Sequence, residues 1–210
     1  MRSYGQYCAV ARALDAIGDR WTLLIIRELL LRGPSRYTDL RNGLPRIATN
    51  LLADRLRGLE QEGLVSREEA PPPVATTLFR LTPRGEELGP VLTELGRWGI
   101  PLMVEGPNED DDFRPYWLSL PVDLYLTDRS PEQPPVTVEV RAGDEPVVLE
   151  TGEGKVHLRP GAAEHPDAVL SGTPHVIAGV LAGTMSLADA IVVGAKVDGK
   201  RAALQRLLPG

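Results

Sequence analysis

Apolar positions in the first hundred residues recur mainly at helical spacing. Val10, Leu14 and Ile17 follow an i, i+4, i+7 rhythm. Residues 21–31, WTLLIIRELLL, are apolar almost all round, which predicts a helix buried on several sides, with Asp19 placed to cap it. Gly33, Pro34 and Ser35 break it, and a short helix is expected over 37–42 before a GLP turn. The stretch LPRIATNLLADRLRGLEQEGLVSR then predicts a helix from about residue 49 to Gly63. On a wheel of about 100° per residue, Leu52, Leu56 and Leu59 cluster as a buried stripe. Asn50, Ala53, Arg57 and Gln61 lie roughly opposite, with Asp54 at the edge. Such a face is either a reading surface or simply the solvated side of an amphipathic helix. Two extended segments, LVSREE and TLFRLT, follow across the tip APPPVAT. Pro83 opens a last helix carrying Leu88, Val91, Leu92, Leu95, Trp98 and Met103.

The period changes beyond residue 115. LSLPVDLYL alternates through Leu118, Leu120, Val122, Leu124 and Leu126, which predicts a half-buried strand. Val136, Val138 and Val140 continue the alternation, as do Val156 and Leu158. HVIAGVLAG, MSLADAIVVG and DGKRAALQRLL read as three short helices broken by Gly183 and Gly194. Strands followed by helices imply an α+β layer with helices over one sheet face. Between the halves, Glu109 to Asp112 are four consecutive acids beside Gly, Pro and Asn, a composition suited to an exposed linker. The expected organisation is therefore 1–105, a linker at 106–114, and a second domain at 115–210. For the first part, three helices, a two-stranded hairpin and a final helix describe a winged helix-turn-helix, with the helix from residue 49 in the recognition position.

Charge sharpens that division. The net charge of −6 is unevenly spread: residues 1–105 carry 14 arginines, no lysine and 13 acids, whereas residues 106–210 carry 9 basic and 16 acidic residues. Arginine suits phosphate and guanine because its planar fork donates two hydrogen bonds at once. The acidic second half is a poor nucleic-acid partner. No apolar run approaches the roughly 18 residues of a membrane span. The first twenty residues are interrupted by Arg12, Asp15 and Asp19, unlike a signal peptide. A single cysteine, Cys8, allows no internal disulfide, and a cytoplasmic setting is expected.

IGDRWTLLIIRELLLRGPSRYTDLRNGLPRIATNLLADRLRGLEQEGLVSR, with Cys8 ahead and LTPRGEELGPVLTELGRWG behind, resembles the HxlR-type regulators over residues 7–100. The matching elements are Cys8, Gly18-Asp19-Arg20-Trp21, Arg36-Tyr37, Ile47, Arg55-Leu56, Gly63-Leu64 and Leu81-Thr82. The resemblance implies a dimeric bacterial transcription factor. Two positions depart from it. Ala48 stands where the family often has a capping Ser, leaving Thr49 as the alternative cap, and the tip PPPVATT lacks the usual basic residue. Residues 115–208 more loosely resemble the type-two sterol carrier protein fold, which implies a site for a lipid-sized apolar ligand between sheet and helices.

The candidate DNA-contacting residues are Arg36, Arg46, Thr49, Asn50, Ala53, Asp54, Arg57, Gln61, Arg67 and Arg80, reading a double-stranded operator. The candidate ligand-lining residues are Trp117, Leu120, Leu124, Val138, Val176, Val180 and Ile191; the same residues could equally form a plain core. Cys8 matches a position where family members sense electrophiles or oxidants, against the ordinary reading of a buried thiol. His157, His165 and His175 lack the neighbours of a metal site, and neither TGEGKVH nor GAKVDGKRA has a nucleotide-binding spacing; TGEGKVH reads as a hairpin turn. No catalytic arrangement, metal or cofactor is expected. The reading is a homodimeric DNA-binding regulator sensing a small hydrophobic ligand. The alternative is a hydrophobic-ligand carrier that uses the winged helix only to dimerise. A methyltransferase is disfavoured by the lack of a glycine-rich loop.

Overall fold

A computed structural model describes residues 3–70, 76–103 and 105–209. Its contacts divide the chain into two compact units, 1–94 and 95–210.

The first unit runs α1 (Ala9–Ile17), α2 (Thr22–Arg32), β1 (Ser35–Arg36), α3 (Tyr37–Gly43), α4 (Thr49–Gln61), β2 (Val65–Glu69), β3 (Thr77–Leu81) and α5 (Pro83–Glu86); α6 (Gly89–Gly99) begins in it. The helical stripe read from the sequence is the core: Ile25, Ile26, Leu40, Leu52, Leu56 and Leu59 are all buried. The expected two-stranded hairpin is a three-stranded antiparallel sheet, because the two-residue β1 pairs with β3. A strand so short leaves no periodicity to read. The tip residues 71–75, whose neutrality was noted above, lie outside the described residues.

Three local expectations are corrected. Asp19 does not cap α2: Trp21 occupies the N-cap in a left-handed conformation, and the Asp19 carboxylate instead pairs with Arg55 at 2.6 Å. Thr49 does not cap α4: it is the first helical residue, and Ala48 holds the N-cap position without a side-chain hydrogen bond. The single helix expected from Pro83 to Met103 is α5, α6 and a 3-10 turn at Ile100–Met103. Pro90 accounts for the first break, since its ring excludes the carbonyl four residues earlier and removes a donor; Pro101 ends α6 in the same way.

The second unit contains a 3-10 turn at Pro115–Leu118, then α7 (Ser119–Tyr125), β4 (Thr137–Arg141), β5 (Val147–Gly152), β6 (Lys155–Pro160), β7 (Ala168–Ser171), α8 (Pro174–Leu181), α9 (Leu187–Val192), β8 (Lys196–Gly199) and α10 (Arg201–Leu207). The strands form one sheet in the order β6-β5-β4-β7-β8, antiparallel except for β4 beside β7. β5 and β6 meet in a hairpin whose turn residues, Glu153 and Gly154, both have positive φ, the twist a two-residue turn requires. Val138, Val140, Leu149 and Leu170 on the sheet form one buried cluster with Val122, Ile177, Leu181 and Leu204 on the helices.

LSLPVDLYL is helical, not extended. Its strict alternation contains Leu118, Val122 and Leu126 at i, i+4, i+8, and these are the buried positions, while Leu120 and Leu124 are half-buried. Strand β5 left no alternation because Val147, Val148 and Leu149 are buried on both faces. Glu139, which faces away from the Val138–Val140 side, is also buried. Its carboxylate accepts the Ala163 N–H at 2.8 Å and Arg141 Nε at 2.7 Å, so the chain leaving β6 is pinned across the second face. Those hydrogen bonds, the Ala163 N–H first, hold its pKa below the usual carboxylate value.

Candidate nucleic-acid interface

Helix α4 is fixed from three sides. Leu52, Leu56 and Leu59 anchor its buried stripe. The Tyr37 hydroxyl donates to the Thr49 carbonyl at 2.6 Å, tying α3 to its start, and Arg55 reaches Asp19 on its flank. Gly63, at φ 69°, lets the Leu64 N–H return to the Leu59 carbonyl at 2.9 Å, which closes the helix and directs the chain into β2. The side left to solvent carries Asn50, Asp54, Arg57 and Gln61, with Ala53 half-buried among them. Five of the expected reading residues thus share one firmly held face.

The remaining candidates are placed around it. Arg36 and Arg46 are exposed before α3 and in the α3–α4 turn; Arg46 has a left-handed backbone, and the Arg36 N–H donates to Asp39 at 3.1 Å. Arg67 and Arg80 do not act side by side. The pairing of Arg67 with Phe79 and of Arg80 with Ser66 sends them to opposite faces of the hairpin. Arg67 lies over the Phe79 ring at 5.6 Å.

Carboxylates were the signal that sequence reasoning missed. Arg57 pairs with Asp54, Arg67 grips Glu60 through two bonds of 2.5 and 2.6 Å, and Arg80 reaches Glu68 at 3.0 Å. The hydrogen bonds that Arg67 donates to Glu60 raise its pKa above the ordinary value. Only the i, i+3 spacing of Asp54 and Arg57 was visible beforehand.

Cys8 is exposed at the N-cap of α1, not buried as its residue type favours. The N–H groups of Ala11 and Val10 at the helix start lower its thiol pKa. In the second unit, the residues expected to line a ligand site are scattered. Val138, Val176 and Val180 are core, Trp117, Leu120 and Leu124 are half-buried, and Ile191 is exposed. A residue bordering a water-sized void would keep accessible surface. Val138, Leu149, Ile177 and Leu204 keep none, so the sheet–helix interior is filled at those positions. A separate surface cleft of about 380 Å³ is lined by Val180, Met185, Leu187, Leu208 and Pro209, together with the exposed Arg129 and Gln205. Among the described residues no His, Cys, Asp and Glu group is placed to hold a metal, and no helix is long and apolar enough to cross a membrane.

Comparison with known proteins gives matches over the first half of the chain. The HxlR-like helix-turn-helix model matches residues 16–105. YvaP of Bacillus subtilis (strain 168), an uncharacterized HTH-type transcriptional regulator, is 34% identical over 87 residues, covering 41% of this chain and 80% of that protein. The chain belongs to the HxlR-like helix-turn-helix family. YodB, another HTH-type transcriptional regulator of Bacillus subtilis (strain 168), is 35% identical over 86 residues, 41% of this chain and 76% of its own. The solved reduced form of YodB is 31% identical, covering 49% of this chain and 100% of that one, with a TM-score of 0.41. The family and these relatives are transcriptional regulators, not enzymes. The family match ends at residue 105, so the sheet of the second unit stands beyond it.

Proposed function

We propose that the chain is a sequence-specific DNA-binding regulator of transcription, acting in the cytoplasm as a homodimer on double-stranded operator DNA. In this reading residues 1–105 bind DNA and dimerise, 106–114 link, and 115–210 take up a small hydrophobic ligand. The observation that carries the DNA role is α4: a polar, hydrogen-bonding face held in place by a buried stripe, in the recognition position of a three-stranded winged fold. Gel shift against duplexes enriched from a randomised library tests it. Arg57→Ala and Asn50→Ala are expected to weaken binding by about 1–3 kcal/mol each, the discrimination of one bidentate base contact. Unchanged binding in both would remove α4 from the interface.

Dimerisation is supported by apolar side chains left in water. Val10 and Leu14 on α1 are exposed, as are Leu95 and Trp98 on α6, the last at 70%. Palindromic reading requires a two-fold partner. A monomer by light scattering at micromolar concentration would count against it.

Ligand uptake is supported by the resemblance to the sterol carrier fold, by helices covering one sheet face, and by the cleft beside Val180 and Leu208. The filled interior shifts the expected site from the Trp117–Val138 region to that cleft. A fatty-acid probe that raises the melting temperature of the intact protein is the expected result. Met185→Trp, which fills the cleft, should abolish the shift.

A further inference from the structure

We infer that Asp54, Glu60 and Glu68 set the selectivity of DNA binding by occupying the arginine forks that would otherwise grip any phosphate. The inference rests on the DNA-reading role proposed above.

Three of the candidate DNA-contacting arginines, Arg57, Arg67 and Arg80, are each held by one of these carboxylates. Over residues 49–81, which span α4 and the two wing strands, four arginines face five acids, a net charge of −1. A surface that draws affinity from phosphate neutralisation would carry an excess of positive charge, because each contact releases condensed counterions. The segment 49–81 carries none, Arg36 and Arg46 lying outside it. Arg67 and Glu60 make the two parallel bonds that a guanidinium would otherwise make to phosphate or to the O6 and N7 edge of guanine. The carboxylate therefore competes directly for the DNA-binding geometry of the fork.

Exchange then depends on what the DNA offers to both partners. At a random site Arg57 can trade Asp54 for a phosphate, yet the released carboxylate is left facing the polyanion, and the gain largely cancels. Where a guanine accepts the Arg57 fork and a neighbouring cytosine offers its N4 amino group, Asp54 gains a donor of its own. Both groups are then satisfied only at a matching sequence. Asp54 and Arg57 lie on the same solvent face one turn apart, so a pair of adjacent bases is within their common reach. The cost of parting the Asp54–Arg57 and Glu68–Arg80 pairs is small, since these side chains are all about half exposed and such pairs are worth roughly 0–1 kcal/mol; the bidentate Arg67–Glu60 pair is held more firmly. The carboxylates tune binding without locking the surface.

The test compares the intact wild-type protein with the Asp54→Asn, Glu60→Gln and Glu68→Gln variants, singly and combined. The probe is a fluorescein-labelled random duplex of about 30 base pairs, titrated by anisotropy from about 50 to about 200 mM KCl. The combined variant is expected to bind random DNA about tenfold tighter at the low-salt end, with a log K against log[KCl] slope steeper by about 2, since each freed fork releases up to about 0.9 counterion. The single variants should each move part of the way, and circular dichroism should show folding unchanged. Random-DNA affinity and slope that stay at the wild-type values, with wild type itself binding, would overturn this inference alone. If no protein of the set binds DNA even at low salt, while all are folded, the DNA-reading role falls and the inference with it.

Discussion

The two units use the same chemical pair, arginine with carboxylate, for opposite purposes. On α4 the Arg57 and Asp54 side chains are 64% and 54% exposed, and the pair joins neighbours on one helix. In the second unit Arg206 and Asp128 are 8% and 3% exposed and are separated by 78 positions in the chain. There the guanidinium makes two bonds to Asp128, at 2.6 and 2.8 Å, and donates to the Pro134 carbonyl at 2.8 Å. It thereby ties α10 to the long connection between α7 and β4. The exposed pair can exchange partners with a ligand at little cost. The enclosed one cannot, because parting it leaves a charge without either water or a counterion. Solvent access, not residue type, separates a pair that can exchange from a clamp that holds.

The sharpest way to break this contrast is at the clamp. Asp128→Ala or Arg206→Ala is expected to destabilise the second unit by more than the loss of an exposed pair does, measured by denaturant unfolding. A loss no larger than that of an exposed pair would erase the distinction.

Acid should act on the same unit. The hydrogen bond from Arg206 lowers the pKa of Asp128, and the Thr137 N–H followed by Lys200 lowers that of Asp167; Glu139 is lowered as described above. A folded-state pKa depressed below the unfolded value of about 4 contributes stability that is complete above that pH and is lost as pH falls through the folded value. These three groups are thus expected to lower stability only below about pH 4, while Asp123, whose burial raises its pKa, acts in the opposite sense above that pH. In Asp128→Asn the drop should be smaller, on a lower plateau.

On α4 the expected effect is smaller. Arg57→Ala should change unfolding free energy by less than about 0.5 kcal/mol while weakening DNA binding, since an exposed pair contributes little to folding. Smaller still is the effect at Cys8, whose lowered thiol pKa predicts alkylation by iodoacetamide with a midpoint below the value of the same thiol in the unfolded chain. A midpoint at or above that value would remove the helix start as an influence on the thiol.

Much of the first unit was legible from one-dimensional spacing. The Leu52–Leu56–Leu59 stripe, its polar opposite face and Gly63 as terminator all lie within fifteen residues, and helical geometry maps such spacing directly onto a face. The capping details were not. Asp19 was drawn from α2 by Arg55, 36 residues away, a competition that local pattern cannot weigh. In the second unit, Val136 to Val140 and the TGEGKVH turn were readable, whereas LSLPVDLYL satisfied two periods at once. Its period was decided by what covers Leu118, Val122 and Leu126 in the assembled core.

By itself, then, the sequence determined the helix faces, the winged order of elements, the family and the charge difference between the halves. The faces, the order of elements and the charge difference follow from residue spacing or composition, and the family from the resemblance of particular segments, all of which exist before folding. The tertiary structure alone decided that Glu60 meets Arg67, that Arg67 and Arg80 part to opposite sides of a hairpin, that Cys8 faces water, and that the sheet–helix interior is filled beside Val138. These depend on which distant segments come together and how much water they leave between them, and no local period encodes that.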